Sequence, residues 1–136
     1  MAQVESGQGA RRPLSPHLQI YSMRINMAMS IVHRITGAAL YFGTLLLAAW
    51  LIAAALGPEA FRFVSDLFGS PVGIIVLIGY TWALMHHMLG GIRHLIWDTG
   101  RGFDLATVEL MGWLTIIGSV VLTAVIWAGV FLSWGA

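Results

Sequence analysis

The sequence contains no cysteine and no lysine, and only 10% of its 136 residues are charged. Without cysteine the chain cannot form a disulfide, hold an iron–sulfur cluster through thiolates or use a thiol nucleophile. A metal centre would therefore depend on histidine, methionine, carboxylate or backbone ligands. Seven arginines are almost balanced by six acids, and the formal net charge is +1. This balance leaves no basic surface for nucleic acid, which we exclude as a partner.

Apolar residues dominate instead, at 58% of the chain, well above the usual share of a soluble domain. Three stretches are long and uncharged enough to cross a bilayer as helices, approximately residues 29–56, 71–97 and 109–134. The sequence therefore predicts an all-α membrane protein with three transmembrane helices. They form a single transmembrane domain over residues 22–136, preceded by an N-terminal tail over residues 1–21. A polar loop of about ten residues is expected before the third span.

The distribution of arginine indicates the orientation. Most arginines precede the first span or follow the second, and only Arg62 lies in the connection between them. By the positive-inside rule the N-terminus and the second loop are cytoplasmic. The first residues resemble neither a secretory signal peptide nor a transit peptide. We therefore expect a multi-pass protein of the bacterial inner (cytoplasmic) membrane, with the mitochondrial inner membrane as the less favoured alternative.

Polar residues are concentrated at the end of the second span, in the segment HHMLGGIRHLIWD over residues 86–98. Ionisable groups within a membrane span usually have a functional reason to be there. His87 has a small residue one turn away on each side, Ala83 and Gly91, so that a flat macrocycle could approach its ring. His86 has the bulky Trp82 one turn before it. Because imidazole is a common axial ligand of haem iron, the pattern favours His87 over His86 as that ligand.

His94 and Arg93 follow His87 by about two turns, closer to the membrane surface. Haem propionates need cationic or hydrogen-bonding partners, which these two side chains could provide at the water-facing edge. His33, in the first span, is expected to lie nearer the surface than His87, and for that reason we reject it as a second axial ligand. The alternative is that these histidines only form hydrogen bonds to neighbouring helices.

A second polar group lies at the start of the first span. Ser30 and Arg34 are four residues apart, hence on one helix face, and His33 is adjacent. A hydroxyl and a guanidinium beside an apolar slot could donate hydrogen bonds to the carbonyl oxygens of a quinone. An interfacial arginine beside a helix-starting serine would produce the same spacing. Spacing alone leaves both interpretations open.

The chain resembles the cytochrome b membrane subunit of succinate dehydrogenase (complex II) in its bacterial form. The resemblance is carried by Arg-Pro-Leu-Ser-Pro-His at residues 12–17, Ser-Ile-Val-His-Arg-Ile-Thr-Gly at 30–37, and the segment from His87 to Asp98. With the three-span layout these motifs cover nearly the whole chain after Ala10.

This resemblance implies that His87 is an axial ligand of haem b and that His94 lies near a propionate; Arg93 and His33 are our further candidates for propionate contacts. It implies that Ser30 and Arg34 contact ubiquinone. A second small membrane subunit would supply the other axial histidine, and an iron–sulfur subunit and a flavoprotein would complete the complex. The complex would pass electrons from succinate to ubiquinone, in the tricarboxylic acid cycle and the respiratory chain.

Succinate chemistry is not expected on this chain, since it has no nucleotide-binding glycine fingerprint and its aqueous segments are too short for a flavin domain. The chain would act as a subunit of succinate dehydrogenase and not as its catalytic head. One alternative is the anchor subunit of a quinol:fumarate reductase. Another is a non-enzymatic component of a small membrane transporter, whose histidines would line a polar path.

Overall fold

The computed structural model describes Pro16, Ile20 and residues 22–134. These residues form four helices and no strand: α1 (Ile25–Leu56), α2 (Pro58–Gly69), α3 (Pro71–Asp98) and α4 (Leu105–Trp134). Helices α1, α3 and α4 are long and apolar enough to cross a membrane. The predicted all-α fold with three transmembrane helices is confirmed. The predicted tail over residues 1–21 lies outside the described residues, apart from Pro16 and Ile20.

Glycine, proline and serine set the boundaries between the first three helices. Gly57 adopts a φ of 118°, a conformation that side-chain-bearing residues rarely take, and it separates α1 from α2. Pro58 and Pro71 begin α2 and α3, where a missing backbone N–H costs nothing. Ser70 caps α3, because its Oγ accepts a hydrogen bond of 3.1 Å from the backbone N–H of Gly73. The connection between the first two spans is thus itself a helix of 12 residues.

The connection between α3 and α4 is shorter than predicted and covers residues 99–104. The connection is short because Asp104 caps α4, which begins at Leu105. Its Oδ1 accepts a hydrogen bond of 2.9 Å from the backbone N–H of Thr107. Hydrogen bonding from Thr107 holds the pKa of the Asp104 carboxyl below its usual value. The cap is therefore ionised at neutral pH.

The three long helices bury mainly polar and small side chains and expose most of their large apolar ones, although Met29 and Trp127 are buried. Helix α3 lies between α1 and α4 and packs against both. The buried polar side chains are Thr36, His86, Arg93, Thr115, Ser119 and Thr123. On α4, the hydroxyls of Thr115, Ser119 and Thr123 donate to main-chain carbonyls of the preceding turn. This arrangement is typical of membrane bundles, in which small and polar residues form the helix contacts and lipid covers the apolar exterior.

Candidate functional site

Helices α1 and α3 bring two histidine rings face to face. The rings of His33 and His87 are parallel within 5°, and their centroids lie 4.0 Å apart. The Nδ1 atom of His87 lies 3.1 Å from the main-chain oxygen of His33 and 3.4 Å from the hydroxyl of Thr36. A carbonyl oxygen can only accept a hydrogen bond, so Nδ1 of His87 carries the proton. In the neutral ring, Nε2 then keeps an unshared electron pair.

Each ring of this stacked pair lies over a glycine of the opposite helix. A Cβ atom added at Gly37 on α1 would lie 2.9 Å from Cε1 of His87, and one added at Gly90 on α3 would lie 2.5 Å from Nδ1 of His33. Both distances are shorter than carbon atoms of real side chains tolerate. We refer to these two arrangements, His87 over Gly37 and His33 over Gly90, as the crossed contacts. They require glycine at both positions.

The structure does not show the predicted difference in depth between His33 and His87, because their rings are in contact. His33 is unsuitable as a second axial ligand for another reason. Two axial ligands must point a nitrogen at one iron from opposite sides of a macrocycle. Rings stacked face to face at 4.0 Å leave no space for iron and a macrocycle between them.

His86, the neighbour of His87, is enclosed by the protein itself. Only 1% of its surface is exposed, on the face of α3 that also carries Ala83, Gly90 and Arg93. Its ring centroid lies 5.4 Å from that of Trp82. His87 is only half-buried. Of these two adjacent histidines, His87 is thus the one that a macrocycle could reach.

A cavity of about 290 Å³ adjoins the stacked pair, between the N-terminal part of α1 and the C-terminal part of α3. All five side chains predicted to contact a quinone or the propionates line it, together with two that the sequence interpretation missed. The lining residues are Asn26, Ser30, His33, Arg34, Arg93, His94 and Trp97. Two arginines and two histidines therefore line the cavity, and none of the described residues that line it is acidic.

Arg93 is enclosed by the protein. Its side chain is only 4% exposed, because position 93 falls on the buried face of α3 with His86 and Gly90. Its Nε and Nη1 atoms have no hydrogen-bond partner among the residues that the structure describes. Its guanidinium carbon lies 5.0 Å from the ring centre of Trp97. A buried cation without an acid beside it indicates that an anionic group belongs nearby.

The two additional lining residues, Asn26 and Trp97, each carry a signal in the sequence. Asn26 precedes Ser30 by one turn and therefore continues the same polar face. Trp97 ends the polar segment of α3, and its Nε1 donates a hydrogen bond of 3.1 Å to the main-chain oxygen of Gly102. This bond holds the tryptophan ring beside the cavity. Helical spacing could have found Asn26, whereas the contact of Trp97 with the loop depends on the fold.

On the opposite side of His87 along the bundle, a second cavity of about 340 Å³ lies between α1 and α3. Small side chains form part of its wall, among them Ala39, Gly43, Gly79 and Ala83. A Cβ added at Gly79 or at Gly91 would meet nothing within 4 Å. Helix α3 is therefore open at Gly79 and Gly91, as a flat macrocycle would require, whereas Ala83, the small residue one turn before His87, is buried on the face of His86. The free Nε2, the open positions on α3 and the cationic cavity together fit a haem.

Comparison with known proteins gives consistent matches over most of the chain. The family model of the succinate dehydrogenase/fumarate reductase transmembrane subunit matches residues 8–126. The succinate dehydrogenase cytochrome b556 subunit of Paracoccus denitrificans is 43% identical over 122 residues, which are 90% of this chain and 92% of that protein. The corresponding subunit of Rickettsia felis is 38% identical over 117 residues, 86% of this chain and 91% of that protein. The mitochondrial cytochrome b560 subunit of Sus scrofa is 41% identical over 125 residues, 85% of this chain and 72% of that protein.

Proposed function

Because the chain belongs to the succinate dehydrogenase/fumarate reductase transmembrane subunit family, as a cytochrome b membrane anchor, we propose that it binds haem b and forms part of a ubiquinone-reduction site. In this proposal His87 is an axial ligand of the haem iron. A second small membrane subunit supplies the other axial ligand. An iron–sulfur subunit and a flavoprotein, bound at the cytoplasmic face of the inner membrane, deliver electrons from succinate.

The observation that carries the proposal is the hydrogen bond of 3.1 Å between Nδ1 of His87 and the main-chain oxygen of His33. Histidines that bind a metal usually donate their other ring N–H to a carbonyl or a carboxylate, which selects the tautomer and orients the ring. His87 already has this arrangement, with Nε2 available for iron. When bound, the haem supplies a one-electron redox centre.

The cationic cavity fits the propionates of such a haem. Its arginine and histidine side chains provide donors for carboxylates, and no acidic side chain of residues 22–134 lines the cavity beside them. Arg93 would pair its buried guanidinium with a propionate, and His94 and His33 would provide further hydrogen bonds. This pairing would remove the energetic cost of the buried, unpartnered Arg93 cation.

Ser30 and Arg34 are exposed side chains that line the same cavity. A quinone carbonyl at this position would accept hydrogen bonds from the Ser30 hydroxyl and the Arg34 guanidinium. Two donors of this kind hold the ring and stabilise negative charge on its oxygen during reduction. Among the alternatives, the family description includes fumarate reductase, but the relatives named above are succinate dehydrogenases. The comparisons give no support to a transporter component.

A reduced-minus-oxidised optical spectrum of the purified complex tests the haem assignment. We expect His87→Ala to abolish the b-type band and His86→Ala to retain it, since His86 is enclosed by protein. A band that survives in His87→Ala would refute the assignment. Immunoblotting of all subunits in the membrane would show whether a complex without haem still assembles.

A further inference from the structure

Contacts from α1 hold the ring of His87 in one orientation. The parallel ring of His33, at 4.0 Å, covers one face of it. The main-chain oxygen of His33 holds Nδ1. Gly37 lies against the Cε1 edge and leaves no room for a side chain there. A rotation of the His87 ring would break the hydrogen bond, open the stack or bring Cε1 into the backbone of α1.

His33 is held in its turn by α3. Its Nδ1 edge lies over Gly90, at the position where any other residue would place its Cβ. A side chain at position 90 would therefore displace the ring that covers His87.

We propose that His33 and Gly90 are positioning residues that set the ring plane and the hydrogen bond of His87, and thereby tune the iron that His87 binds. The inference rests on the proposed haem ligation. A ring whose Nδ1–H donates to a carbonyl is a stronger electron donor at Nε2, which favours the oxidised iron. Ligand hydrogen bonding of this kind is one of the means by which a protein sets a haem potential.

The experiment uses the complete complex carrying Gly90→Ala, because the described atoms nearest to the added Cβ all belong to the His33 ring. We expect the haem to be retained with a higher midpoint potential and an altered electron paramagnetic resonance spectrum of the oxidised form. Gly37→Ala, which pushes the His87 ring directly, is expected to lose a large part of the bound haem. Gly129→Ala on α4 is the matched control, since a Cβ there meets nothing within 4 Å. It should leave potential, spectrum and haem content unchanged.

Two substitutions of His33 decide the matter if Gly90→Ala fails to assemble. His33→Ala keeps the main-chain oxygen but removes the stacked ring, so the resonance spectrum should broaden. His33→Phe restores a flat ring of similar width and should restore a narrow spectrum. If His33 acts only through a polar contact with a propionate, phenylalanine will rescue nothing.

Unchanged potential and resonance spectra in Gly90→Ala and His33→Ala, compared with Gly129→Ala, would overturn the inference. Failure of the haem assignment itself is a separate outcome. It would appear as a b-type band that persists in His87→Ala, whatever the glycine variants do.

Discussion

The rings of His33 and His87 lie parallel at 4.0 Å, although the two residues are 54 positions apart in the sequence. This contact joins the polar segment of α1 to the polar segment of α3. The cavity beside it is consequently lined by side chains from both segments. What the sequence presents as two motifs is one site in the folded protein.

Arg34→Ala tests the quinone contact. We expect succinate:quinone activity to fall by about one to two orders of magnitude, the loss expected when a charge-assisted hydrogen bond worth roughly 1.5–3 kcal/mol is removed. Succinate oxidation with a soluble dye acceptor should stay at the wild-type rate. The matched control is Arg62→Ala on α2, an exposed arginine whose Nε donates only to the main-chain oxygen of Pro58. If the dye-linked activity of Arg34→Ala falls in parallel, the defect lies in assembly and the quinone assignment loses its support.

Arg93→Met tests whether the buried guanidinium pairs with the haem. Methionine has a similar length and is compatible with the apolar surroundings, so helix packing should be preserved. Loss of the cation should lower the affinity for haem by roughly ten- to a hundred-fold, as for other groups that support a metal site. The measurement is the ratio of haem to protein after purification at increasing dilution. A ratio equal to that of the wild type would mean that Arg93 does not contact the propionates.

Gly43→Ala tests the packing of α1 on α3 away from the polar cavity. The Tyr80 ring lies directly on Gly43, in the space that a Cβ would occupy. Overpacking of this kind costs about 1–3 kcal/mol, which should lower the thermal unfolding temperature of the complex in detergent. Tyr80→Leu in the same chain should recover part of the loss. Equal effects of Gly43→Ala with and without Tyr80→Leu would show that the two residues are not coupled.

Asp104→Ala tests the cap of α4 and its pH dependence. The folded-state pKa of Asp104 is lowered, so its contribution to stability is fully present above the carboxyl's usual pKa and is lost as the pH falls through the lowered value. We expect the variant to unfold at a lower temperature than the wild type at pH 7. The difference between the two unfolding temperatures should become smaller in acid. Asparagine can also cap a helix, so the unfolding temperature of Asp104→Asn at pH 7 should lie between those of Asp104→Ala and the wild type. A difference in unfolding temperature that does not change with pH would argue against an ionised cap.

The sequence was sufficient to predict three membrane helices, because it contains three long charge-free stretches that glycine, proline and serine separate. Membrane helices must satisfy their backbone hydrogen bonds internally, so their length and composition are visible locally. The motifs from residue 30 to 37 and from His87 to Asp98 were likewise sufficient to identify the family, which the comparisons confirm. The roles of His87, Ser30 and Arg34 remain predictions.

Only the tertiary structure decided the burial of Arg93, the contact between the His33 and His87 rings and the packing of α1 on α3. Helical periodicity gives the angle of a side chain around its own axis, but it does not give the rotation or the height of one helix relative to another. Gly37 and Gly90 determine both here, because each lets the opposite helix approach until a histidine ring lies on its backbone. The chain determines by itself that it crosses the membrane three times with histidines near one end. The packing of α1 on α3 determines that His87 is the histidine whose Nδ1 is held by a main-chain oxygen of the opposite helix.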